Sequence, residues 1–127
     1  MKLRIRGNSI RLRVSKSELE QIAEHGHAED RVQFAPNAVL RYRIETHGAD
    51  TVAVRFSGSE VAVSLPQGVV RGWLAPDQVS IVGEQDVGGP ETLKILVEKD
   101  FECLAPRSGE DDSDLFVNPL KAGRAGA

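Results

Sequence analysis

Cysteine is almost missing from this 127-residue chain: Cys103 stands alone, which excludes an internal disulfide framework and fits a reducing compartment. No apolar run approaches the length of a membrane span, and the N-terminus alternates charges with aliphatics where a signal peptide would be apolar. The expectation is therefore a cytoplasmic protein with no membrane partner. Glycine motifs for dinucleotides or triphosphates are lacking, as is any Cys/His pair at structural zinc spacing. His25, His27 and His47 with Cys103 are the only soft ligands, too few and too scattered for a metal site. Asp111-Asp112-Ser113-Asp114 lacks the glycine and terminal glutamate of a calcium loop. Aromatic residues make up 5% of the chain, and the single Trp73 sits on the apolar side of a short helical pattern, as a core residue would. No catalytic constellation is visible, so neither an enzyme nor a cofactor is expected.

What the chain has is a basic, alternating N-terminus. Leu3, Ile5, Ile10, Leu12 and Val14 alternate with Lys2, Arg4, Arg6, Arg11 and Arg13, the period of strands buried on one face. Gly7-Asn8 interrupts the run where a two-residue hairpin turn fits, the glycine supplying a positive φ. That turn pairs residues whose numbers sum to fifteen, so Arg4 meets Arg11 and Lys2 meets Arg13. Like charges opposite one another are unfavourable, and the face needs an anion.

The hairpin occurs twice. Lys2–Val14 aligns with Ala53–Leu65 at an offset of 51, with Gly58-Ser59 in place of Gly7-Asn8. Each copy leads into a short helix, the first with Ser15 as N-cap and Glu18 closing a capping box, the second opening at Pro66. Third strands are expected at Arg31–Phe34 and Gln78–Ile81, and fourth strands at Val39–Glu45 and Thr92–Glu98. The resulting expectation is a mainly β (α+β), compact, barrel-like domain over residues 1–104. It is built from two pseudo-symmetric ββαββ repeats, 2–45 and 51–104, with two short helices. Residues 105–127 form an acidic, partly ordered tail, in which Leu115-Phe116-Val117 is apolar enough to dock back. Because the duplication is intramolecular, a monomer suffices.

Arg6-Gly7-Asn8-Ser9-Ile10-Arg11-Leu12-Arg13-Val14-Ser15-Lys16, with Leu19 and Ile22, resembles the AbrB/MazE swapped-hairpin domains of bacterial regulators and antitoxins. Leu65-Pro66 in the second copy stands where that family has Ile-Pro. The resemblance implies a dimer fused into one chain and a DNA-contacting first hairpin. Two departures matter: Ser15 replaces the proline in the first copy, and only Arg55 keeps a charge in the second hairpin. The whole chain also resembles an uncharacterised bacterial family through its hairpin and its Glu98–Leu104 segment.

Two fates remain open for Lys2, Arg4, Arg6, Arg11 and Arg13, with Arg41 and Arg43 as candidate extensions. They contact nucleic-acid phosphates or an acidic protein partner, or they are neutralised internally by Glu98, Asp100, Glu102 or the tail's Glu110, Asp111, Asp112 and Asp114. Charge is unevenly spread, which favours a local basic patch over a basic protein. Residues 2–45 carry nine Lys/Arg against six Asp/Glu, and residues 50–104 four against nine.

Overall fold

The computed structural model describes residues 1–48, 50–101 and 114–117. Strands β1 (Lys2–Arg6) and β2 (Ser9–Val14) form the first hairpin, followed by helix α1 (Lys16–His25) and strands β3 (His27–Ala35) and β4 (Ala38–His47). The second half has the same order: β5 (Ala53–Ser57), β6 (Glu60–Pro66), α2 (Gln67–Trp73), β7 (Ser80–Asp86) and β8 (Thr92–Lys99). Among the described residues no helix is long and apolar enough to cross a membrane.

Local chemistry sets these boundaries. Gly7 and Gly58 open the hairpin turns with φ of 54° and 58°, while no non-glycine among the described residues takes a positive φ, the signature of a Gly-first turn. The register is the one the turn dictates: Lys2↔Arg13, Leu3↔Leu12, Arg4↔Arg11 and Ile5↔Ile10. The Ser15 hydroxyl accepts from the Glu18 N–H, and the Glu18 carboxylate accepts from the Ser15 N–H at 2.9 Å, completing the capping box. Replacing Ser15 by Ala should cost about 1 kcal/mol in chemical denaturation. Helix α2 has no side-chain N-cap and contains Gly68 and Gly72, so burial of Val70 and Trp73, not propensity, holds it in place.

Each sheet draws strands from both halves. The first runs β1-β2-β8-β7 and the second β5-β6-β4-β3, with parallel pairing at the centre (Ile10↔Ile95 and Leu12↔Val97; Val61↔Tyr42 and Val63↔Ile44). Inward-facing aliphatics from both sheets join Leu19, Ile22, Val70 and Trp73 in one core.

The expected barrel does not form. Both sheets stay open, and where the edges β5 and β7 approach, a side chain bridges them in place of a backbone ladder. The Gln85 amide accepts from the Val54 N–H at 2.6 Å and donates to the Val54 carbonyl at 3.0 Å, copying the donor and acceptor of a strand. The third strands also differ from expectation. Gly26, in the left-handed conformation, ends α1 so sharply that β3 starts at His27, while β7 starts at Ser80. Ala28, across from Ile44, therefore holds the place that Ile81 holds across from Val97.

The C-terminal segment docks as the apolar Leu115-Phe116-Val117 suggested. Phe116 donates its N–H to the Asp100 carbonyl, meets Phe101 edge-on at 6.2 Å and lies under the Lys99 ammonium. Asp114 takes the Ser17 N–H and hydroxyl at the start of α1. The Ser17 hydroxyl holds the Asp114 carboxyl below the usual aspartate range. A lowered carboxyl pKa stabilises the docked strap above the ordinary aspartate pKa, and that contribution disappears as the pH falls through the lowered value. The Phe116 amide should accordingly lose protection from hydrogen exchange on acidification, and in Asp114→Asn it should be weakly protected at neutral pH. Glu102, Cys103, Glu110, Asp111 and Asp112 lie outside the described residues.

Candidate anion-binding face

Strand alternation and the central parallel pairing place three rows of side chains on the outer face of the first sheet. They are Lys2, Arg13, Glu98 and Ser80; then Arg4, Arg11, Leu96 and Val82; then Arg6, Ser9, Lys94 and Glu84. Six cations thus face two carboxylates.

The rows divide the cations by fate. Arg13 Nε donates to Glu98 at 2.7 Å, and Lys2 pairs with Asp100, itself buried, at 2.8 Å. Arg11 Nε lies 3.0 Å from the same Glu98 oxygen but lacks hydrogen-bond geometry to it. One carboxylate therefore serves two guanidiniums, and Arg13 has the better share of it. Toward the Gly7-Asn8 turn, Arg4, Arg6 and Lys94 make no ion pair among the described residues. With Arg11 they surround a groove of about 350 Å³ whose floor includes Leu96 and the exposed Val82. Sequence reasoning placed five of these six cations, Lys2, Arg4, Arg6, Arg11 and Arg13, on one face but missed Lys94, which reaches this face only because β8 pairs with β2.

Arg41 and Arg43 do not extend the face, because β4 belongs to the second sheet. There Arg43 lies among Glu45, Glu60 and Glu29 at 3.4, 3.8 and 3.9 Å, and Arg55 between Glu45 and Glu60 at 3.4 and 3.8 Å. That face is close to neutralised. Another cleft, about 530 Å³, is lined by Asp50, Gln78, Ser80 and Glu84 with no Lys or Arg in its walls, and so does not suit an anion.

His25 and His27 are exposed on either side of Gly26, and among the described residues no three His, Cys, Asp or Glu side chains gather to hold a metal. Trp73 is buried, its indole N–H donating to the Val79 carbonyl at 3.1 Å. Lys99 is the one buried lysine among the described residues: it donates to the Ala75 carbonyl at 2.9 Å, and burial lowers its pKa.

Residues 1–120 match the family of unknown function DUF7009. The chain belongs to that family. No curated protein and no solved structure matches it. The DUF7009 match spans both sheets and so includes the cationic rows and the residues that neutralise part of them.

Proposed function

We propose that this DUF7009 protein is a non-enzymatic, cytoplasmic bacterial binding protein that contacts nucleic-acid phosphates through Arg4, Arg6, Arg11 and Lys94. The observation that carries the reading is that Arg4, Arg6 and Lys94, at the turn-proximal end of the first sheet, make no ion pair among the described residues, with Arg11 beside them holding the lesser share of Glu98. Contacts of this kind position a protein on a phosphate backbone without reading bases. The Gly7-Asn8-Ser9 hairpin supports reading the chain as a single-chain relative of AbrB-like swapped-hairpin domains. So does the strand order, in which each sheet takes one hairpin from each half. On that reading the protein is a duplicated ββαββ unit, a monomer, and presents its basic hairpin once.

The test is a salt titration of duplex DNA binding. Three to four phosphate contacts predict a slope of log K against log salt of about −3 to −4. Arg4→Ala and Arg6→Ala should each reduce that slope by about one, whereas Arg13→Ala, whose guanidinium is already engaged by Glu98, should leave it nearly unchanged. Absence of binding at low salt, or a slope indifferent to Arg4 and Arg6, overturns the proposal. A second reading, an antitoxin-like protein-interaction module, is favoured by the pairing of Lys2, Arg11 and Arg13 with Asp100 and Glu98. It predicts that one stoichiometric protein, and no nucleic acid, co-purifies from the native host.

A further inference from the structure

The two hairpin edges that correspond in the strand order are not treated alike. In a hairpin closed by a two-residue turn, the flanking pair Arg6↔Ser9 exchanges hydrogen bonds, and pairs alternate from there. Leu3 and Ile5 therefore aim their N–H and C=O groups away from β2, out from the edge of the sheet. Val54, which holds the place of Leu3 in the second hairpin, has both of these groups taken by the Gln85 amide. Val32 stands in β3 where Gln85 stands in β7, as their pairing with Leu40 and Leu93 shows, and its side chain can offer neither donor nor acceptor. The β5 edge is closed by a side chain that mimics a strand; the β1 edge has no such cover among the described residues. Ile5, whose parity directs it toward the core side, is nevertheless 65% exposed, and Arg4 and Arg6 flank it.

We infer that the β1 edge receives an added β-strand from a protein partner, with acidic and apolar residues alternating along that strand. Peptide groups at Leu3 and Ile5 that have no partner among the described residues supply the ladder, which gives affinity, and the two faces of the new strand give specificity. Carboxylates fit on the outer face beside Arg4 and Arg6, and aliphatics on the inner side, where they would cover Ile5. The ladder is independent of the nucleic-acid reading, since its groups are backbone atoms that phosphate contact does not use, whereas the charge preference draws on Arg4 and Arg6, which both readings share.

A blocked eight-residue peptide of alternating Glu and Val is the probe, with a peptide of the same composition in two blocks as control. Binding measured by isothermal titration should saturate for the alternating peptide and be at least about tenfold weaker for the block peptide. Ile5→Pro removes one outward N–H without touching the β1–β2 ladder, and should weaken the alternating peptide by about tenfold or more. The same variant should keep the salt slope for duplex DNA. Arg4→Glu with Arg6→Glu should reverse the charge preference toward an alternating Lys and Val peptide, which keeps the proposal testable if the proline variant fails to fold. Equal binding of the alternating and block peptides overturns the proposal, as does a charge-reversed protein that still prefers the Glu peptide.

Discussion

Trp73→Ala should remove about 3–5 kcal/mol of folding stability, a fifth or more of the ~5–15 kcal/mol that a domain commonly has. Trp73 is the largest fully buried side chain, 1% exposed, and sits on the helix with the least stability of its own. Two terms add in this substitution. Apolar surface is lost together with the contacts that filled the space, and the Val79 carbonyl loses the indole N–H it accepts from at 3.1 Å. Trp73→Phe separates them, since it retains much of the bulk but leaves the Val79 carbonyl with the Lys99 N–H as its one remaining donor, and should cost about 1–2 kcal/mol. Urea denaturation followed by far-ultraviolet circular dichroism is the appropriate readout, because the substitution removes the chain's only tryptophan fluorophore. A loss below about 1 kcal/mol for the alanine variant would mean that α2 is held by something other than Trp73.

Gly83→Ala should cost about 1–3 kcal/mol, although a strand normally gains from replacing glycine. A Cβ at Gly83 would stand 2.9 Å from Val52 Cβ and 3.0 Å from its Cγ1, a branched carbon beside the backbone that cannot swing aside. Gly83 thus sets how closely the lead-in to β5 approaches β7, and with it the distance at which Gln85 bridges to Val54. Val52→Gly in the same molecule, which removes the Cβ at 2.9 Å as well as Cγ1, should relieve the clash and give a coupling of about 1 kcal/mol or more in a double-mutant cycle. Additive effects would place the strain elsewhere.

The parts of this fold that depend on neighbours in sequence were legible. Alternation and a glycine at the turn specified the β1–β2 register residue by residue, and Ser15 with Glu18 marked the start of α1. The longer-range parts were not. Nothing in Ile10 or Ile95 announces that the two lie side by side, since parallel pairing leaves no turn to fix its register. The candidate site inherits that blindness. Glu98 and Asp100 were legible as counter-charges and do pair with Arg13 and Lys2, but Lys94 joins Arg4 and Arg6 only through the pairing of β2 with β8. The open sheets were equally hidden, because the bridge across the edges is a glutamine side chain, a residue type with no strand signal of its own.

The exchange of strands between the two sheets also orders events in time as the chain is synthesised. The second sheet is complete in sequence once Pro66 has emerged, but the first lacks its two remaining strands until Lys99 has followed. During that interval β1–β2 has its turn and its register but not β8, the strand that covers its other edge. This cationic hairpin is thus made before the strands that flank it and is enclosed last. A nascent chain halted between Pro66 and Lys99 would display Arg4, Arg6, Arg11 and Arg13 with neither Lys94 nor Glu98 yet beside them.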